Sequence, residues 1–192
     1  LRLLDPCTGE GVALAECKAH LGERAQELLD RCIHGSFLDC QVSKRSFGLL
    51  FLNPPYGDLV ADKGQTGESK GRQRMEWQFY RASLELLQFG GVMVFIVPYY
   101  VLTPEFAEAI ASHFDQVKAF RAPEERFKQA VIFGVRKRTS ETAHRADTKA
   151  LLVALGQGEL TTVLPEGDWA CPYVVPAAPR TELSFTFGGM DP

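Results

Sequence analysis

Hydrophobic positions in this chain fall into short unbroken apolar runs set between stretches of helical period. Ser46 to Leu52 and Val92 to Val97 have no regular alternation of polar and apolar positions, as expected of buried strands, while Leu1 to Leu4 reads as the end of a buried strand and Gln116 to Phe120 as another strand. Between them, Val12 to Leu21, Arg24 to about Cys32 and Met75 to Phe89 carry apolar residues at helical spacing. Thr103 with Pro104 opens a further helix to about Phe114, the hydroxyl capping free amides and the proline sitting where its missing N–H costs nothing. Ile33 to Leu38 reads as a short strand. Gly90-Gly91 is placed to stop the helix before it, and Phe127 to Lys137 predicts a last strand reached through a tight turn, hence antiparallel. The expectation is an α/β chain: a Rossmann-like, doubly wound, mostly parallel sheet with an antiparallel last strand.

One step of that alternation is missing. Helix Val12 to Leu21 carries the chain back along the sheet by about 15 Å at ~1.5 Å per residue. Gly22 and Glu23 offer only about 7 Å of extended reach before the next helix begins near Arg24. Either the two helices form a tight hairpin, which the fold opposes, or a segment holding the second strand belongs between Leu21 and Arg24 and is absent from the chain as written; the second is expected. The chain also begins inside an apolar strand without an initiator Met, so its start is expected to be trimmed.

From Thr139 the composition shifts to Thr, Ser, Ala and charge, with a short helix near Asp147 to Leu155 and then a proline-rich tail. The division expected is a domain over 1–138 and an extension over 139–192, either an extended appendage or an incomplete second unit. Arg136-Lys137-Arg138 is expected to be a solvated strand terminus. Residues 57–74 hold four glycines and many charges. They predict a surface loop, either a plain solvated insertion or a lid carrying Lys63, Lys70, Arg72 and Arg74 toward phosphates.

Composition narrows this little. No run approaches the roughly 20 apolar residues of a membrane span, and the five cysteines, Cys7, Cys17, Cys32, Cys40 and Cys171, lack CxxC spacing. Free thiols in a reducing cytoplasm are expected, without a zinc site, and His34 has no partner at metal spacing. A net charge of −3 exerts no global pull on nucleic acid, so any such binding relies on local basic patches.

The chemistry concentrates at two loops. Strand Gly48 to Leu52 ends in Asn53-Pro54-Pro55-Tyr56-Gly57. Neither proline can donate to a ladder, and each holds the residue before it extended, which makes a stiff turn at the strand's carboxyl end. The Asn53 side-chain oxygen and the Pro54 carbonyl can each accept one hydrogen of a planar amino group while Tyr56 stacks on the ring bearing it. The second loop, Asp5-Pro6-Cys7-Thr8-Gly9-Glu10-Gly11, joins a strand to a helix, with Gly9 and Gly11 allowing a tight turn and close approach of a ligand.

Together these loops make the chain resemble the S-adenosylmethionine-dependent amino-methyltransferases of the NPPY type, adenine-specific DNA methyltransferases above all. The loop from Asp5 to Gly11 resembles that family's DPxxGxG motif, and Asn53 to Tyr56 matches its catalytic tetrapeptide. The resemblance covers roughly residues 1–138 and extends to uncharacterised bacterial methyltransferase-like domains. It implies a class I methyltransferase fold, S-adenosyl-L-methionine as cofactor, and a nucleic acid as partner, DNA before RNA. Asp5, Pro6, Cys7, Thr8, Gly9, Gly11, Ser36, Phe37 and Asn53 would meet the cofactor, with Phe37 packing on its adenine. Asn53, Pro54 and Tyr56 would be catalytic, and Pro55, Tyr56 and Phe127 would hold the substrate. The target base would be flipped from its stack, since its amino nitrogen cannot reach a methyl donor inside a duplex. The sequence departs from the family at Ser36, where an acid is usual, and at the ribose-gripping acid, for which no second strand is visible. Two alternatives share the motifs: the same chemistry on a protein glutamine amide or an RNA base, and an inactive binding module with the methyltransferase fold.

Overall fold

The computed structural model describes residues 1–9, 11, 35–57, 74–138, 144–167 and 170–187. The helices expected at Val12 to Leu21 and Arg24 to Cys32, the junction near Leu21, and the loop over 58–73 lie outside the described residues.

Five apolar segments pair into one sheet, β1 (Leu3–Leu4), β3 (Phe47–Leu52), β4 (Leu87–Pro98), β5 (Phe114–Arg121) and β6 (Gln129–Arg136), in the order β1-β3-β4-β6-β5. The pairs β1–β3 and β3–β4 are parallel, whereas β6 runs against both β4 and β5. One reversed strand in an otherwise parallel sheet is the arrangement expected from the sequence. Alternate positions on one face of the sheet, Leu50, Leu52, Met93, Phe95, Ala130 and Ile132, are fully buried. They share a core with side chains of α1 (Met75–Leu84), α2 (Pro104–His113) and α3 (Arg145–Gly156). Tyr80 of α1 lies at its centre, stacked on Phe95 at 5.8 Å and edge-on to Phe106 of α2 at 5.3 Å. Thr103 caps α2 as expected, its hydroxyl accepting from the Phe106 amide.

Three local expectations are corrected. Helix α1 ends at Leu84 rather than Phe89, and β4 has already begun when the chain reaches Gly90-Gly91. Leu87 is fully buried opposite Phe47, which draws it into the sheet, and the register then jumps to Leu49 opposite Val92. The two glycines make that irregularity: Gly90 takes φ +78, and a Cβ on Gly91 would lie 2.6 Å from the Leu87 side chain. Of the strand expected over Ile33 to Leu38, residues 33 and 34 lie outside the described residues, and Phe37–Asp39 form a single 3₁₀ turn, followed by β2 (Cys40–Val42).

The basic run after β6 is the third. Arg136 donates to the carbonyls of Leu84 and Leu87, and Lys137, whose side chain is 6% exposed, donates to the Ala111 carbonyl at 3.1 Å. The carbonyls of Leu84 and Ala111 lie in the last turns of α1 and α2, where the helix dipole favours positive charge.

Residues beyond 138 return to the sheet. Leu152 and Leu155 of α3 are fully buried, and Arg145 and Lys149 both engage Glu108 of α2. Val163 bridges to Arg121, then the Tyr173 ring stacks on Phe133 at 5.6 Å while its hydroxyl donates to the Gln116 carbonyl. The Pro176 carbonyl fits against Gly48, only 2.8 Å from where a Cβ would be. Arg2 donates to the Thr181 carbonyl, and β7 (Phe185–Phe187) pairs antiparallel with β2. The tail thus crosses from β5 to the β1 side as a strap.

Candidate active site

Parallel pairing sets the site. Leu4 lies opposite Leu50, so the loop leaving β1 and the turn leaving β3 emerge at the same carboxyl edge of neighbouring strands. That edge, where connections must leave the sheet, is where open α/β sheets bind ligands.

After β1, the Asp5 carboxylate accepts the Cys7 amide at 2.9 Å, and the Gly11 amide donates to the Thr8 carbonyl. Gly9 at φ +55 and Gly11 at φ +78 both take the left-handed region that a side chain disfavours. A Cβ on Gly9 would meet nothing within 4 Å, so conformation, not crowding, demands the glycine. Burial raises the Asp5 carboxyl above its usual range, partly offset by the Cys7 amide. Burial, helped by Asp5, pushes the Cys7 thiol up to about 12. Pro6 and Thr8 are half-buried in the same turn.

After β3, Pro54 is buried and Asn53, Pro55 and Tyr56 are exposed. Tyr56, 39% exposed, donates its hydroxyl to Asn53 Oδ1 at 2.8 Å and accepts from Gln129 Nε2 at 2.7 Å. Burial raises the Tyr56 phenol, the Gln129 bond lowers it, and nearby Glu76 and Tyr100 raise it further. The turn is anchored from behind. The Met75 amide donates to the Gly57 carbonyl at 3.0 Å, and the Gly57 amide approaches Glu76 Oε1 at 3.4 Å. Glu76 is completely buried and takes two bonds from Arg74, whose guanidinium also lies 5.8 Å from the Tyr100 ring centre. Gly57 and residues 74–76 are thereby stitched together.

Residues 4–172 match the family described as "Uncharacterised methyltransferase family (DUF6094)". The chain belongs to that family. A comparison with curated proteins returns no match. Among solved structures, one similar to this DUF6094 chain is assigned as a class I S-adenosylmethionine-dependent methyltransferase from Listeria monocytogenes (11% identity, TM-score 0.40, covering 60% of this chain and 43% of that one). Another is a predicted O-methyltransferase from Agrobacterium tumefaciens (14% identity, TM-score 0.32, covering 63% and 56%). The DUF6094 chain thus spans about half the length of these two structures, the alignments covering 43% and 56% of them. The family is one of methyltransferases, and the fold is an α/β sheet of mostly parallel strands with one strand reversed. No helix among the described residues is long and apolar enough to cross a membrane, and no group of His, Cys, Asp or Glu among them forms a metal cluster.

The remaining expected site residues are Ser36, Phe37 and Phe127. Ser36 is exposed, its carbonyl accepting from the Asp39 amide. Phe37 stacks on Phe79 of α1 at 5.9 Å and lines a cleft of about 350 Å³ with Cys40, Lys44, Ala82 and Glu85. Phe127 is 53% exposed in a 3₁₀ turn before β6, not a core side chain, with Arg126 over its ring. Gln129 and Glu76 were missed from the sequence. Gln129 left no signal in a strand-edge pattern, whereas Glu76, a lone acid at the start of an apolar helix beside Arg74, left a faint one.

Proposed function

We propose that this chain transfers a methyl group from S-adenosylmethionine to the exocyclic amino group of adenine in DNA. The observation that carries the reading is the shared carboxyl edge of β1 and β3, with the glycine turn on one strand and Asn53 to Tyr56 on the next. The β1 loop suits the cofactor, because two positive-φ glycines keep its backbone bare and Asp5 braces the turn from within. Asp5 to Gly11 would hold it there. When bound, S-adenosylmethionine supplies an electrophilic methyl group.

The residues of the chain do the rest by position. Asn53 Oδ1 and the Pro54 carbonyl accept the two amino hydrogens, which turns the nitrogen lone pair away from them. Asn53 Oδ1 has two lone pairs; the Tyr56 hydroxyl takes one, leaving the other for the substrate. As positive charge grows on the nitrogen, both acceptors hold it more strongly, and this preorganisation supplies the rate. The Tyr56 ring, fixed at its hydroxyl, presents its face for stacking.

Transfer of tritiated methyl to DNA, RNA and protein tests the polymer. Asn53→Ala should lower transfer on the order of 10²-fold, the usual effect of one preorganised partner, with cofactor affinity by calorimetry within a few-fold of wild type. Near-wild-type turnover in that variant removes Asn53 from the chemistry and the reading with it.

A further inference from the structure

The Tyr56 hydroxyl lies between two carboxamides, 2.7 Å from Gln129 Nε2 and 2.8 Å from Asn53 Oδ1. An amide nitrogen only donates, so the phenol oxygen accepts from Gln129 and sends its own proton to Asn53. The chain therefore has a direction, and that direction decides which end of the Asn53 amide faces the tyrosine. An exposed asparagine on a turn otherwise turns its side-chain torsion freely between two nearly isosteric ends, one accepting and one donating. Only the accepting end can receive an amino hydrogen.

Gln129 is itself held at both sides. It stands opposite Pro98 in the β4–β6 ladder, and its carbonyl accepts the Ala122 amide at 2.9 Å. The preceding residue, Lys128, is fixed in the left-handed region at φ +50 and accepts the Tyr99 amide at 2.8 Å. The turn on β3 thus takes its orientation from a residue of β6, two strands away in the sheet.

We propose that Gln129 is a positioning residue which, through the Tyr56 hydroxyl, keeps the Asn53 oxygen toward the amino group to be methylated. The proposal rests on the amino-methylation reading above. Gln129→Leu removes the donor and should lower kcat by about five- to ten-fold, the worth of one hydrogen bond, with cofactor affinity unchanged. Gln129→Glu is the sharper variant, because a carboxylate only accepts. Tyr56 must then donate to Glu and accept from the Asn53 NH2, which turns the amide the wrong way. Its kcat should fall on the order of 10²-fold, like the loss of the acceptor itself. Because Gln129 acts through the phenol, Gln129→Leu added to Tyr56→Phe should cost nothing beyond Tyr56→Phe alone.

One readout does not need activity: the Tyr56 ¹³Cζ shift at neutral pH follows hydrogen bonding at the phenol oxygen and should move in Gln129→Leu. An unmoved shift, additive double-variant losses, or wild-type turnover in Gln129→Glu overturns the proposal. Wild-type turnover in Asn53→Ala instead overturns the amino-methylation reading, and the ¹³Cζ shift then decides the hydrogen-bond chain by itself.

Discussion

Replacing Glu76 by Gln keeps the shape of a completely buried side chain and removes its charge. The carboxylate takes bonds from Arg74 at 2.8 and 3.3 Å and is approached by the Gly57 amide at 3.4 Å. Breaking a buried ion pair by removing one partner costs ~3–5 kcal/mol when the survivor stays buried. Here it does not, since the Arg74 side chain is 36% exposed and can turn to water. A Gln oxygen also still accepts one Arg74 hydrogen, so the loss should be about 1.5–3 kcal/mol, the range of a hydrogen bond to a charged group. For a chain of this length, each kcal/mol lowers Tm by roughly 2–4 °C, so a 2 kcal/mol loss lowers it by about 4–8 °C. Urea unfolding followed by circular dichroism should show a lower midpoint at unchanged slope. Amide exchange at Gly57 and Met75 should quicken, because those two positions lose their common anchor. A stability within 0.5 kcal/mol of wild type, by the ~0.5 kcal/mol standard for ordinary surface changes, would refute Glu76 as the clamp behind the turn.

Two further outcomes follow from packing and burial. Leu155→Ala should cost ~2–5 kcal/mol in the same unfolding assay, the range for a fully buried leucine, since Leu155 is 0% exposed; a loss below ~1 kcal/mol would mean that α3 does not dock on the core. With its thiol at about 12, Cys7 is thiolate in only about one molecule in ten thousand at pH 8, so iodoacetamide at that pH should label exposed Cys171 and spare Cys7. Peptide mapping checks this, and equal labelling would show that Cys7 is not shielded as described.

What was legible in the sequence was whatever local chemistry dictates. Short apolar runs bounded by turn residues read as strands, and Asn-Pro-Pro marks the end of one. Thr103-Pro104 could only begin a helix, so these features fell where the pattern put them. Gly90-Gly91 misled because glycine both stops helices and permits bulges, and only Phe47, forty residues upstream of Leu87 in the chain, decides between the two. Arg136 and Lys137 misled likewise: whether a basic run is solvated depends on which carbonyls the fold brings near it. At the site, Asn53 and Tyr56 announce themselves through the motif. The Tyr56 bond to Gln129 is invisible in the sequence because it crosses 73 positions.

The strap formed by the tail has a consequence for the order of events in folding. Ser43 and Ser184, 141 residues apart, exchange hydrogen bonds beside the β2–β7 ladder. Such a contact closes a long loop of 141 residues, and loop entropy must be spent before it is recovered. A ribosome adds about 5–20 residues per second, so residues 40–42 wait at least several seconds for their partner strand. The sheet can form from β3 to β6 without it, whereas the small β2–β7 sheet completes last. Refolding should accordingly show a late phase in probes on β2 after the Tyr80 core has closed.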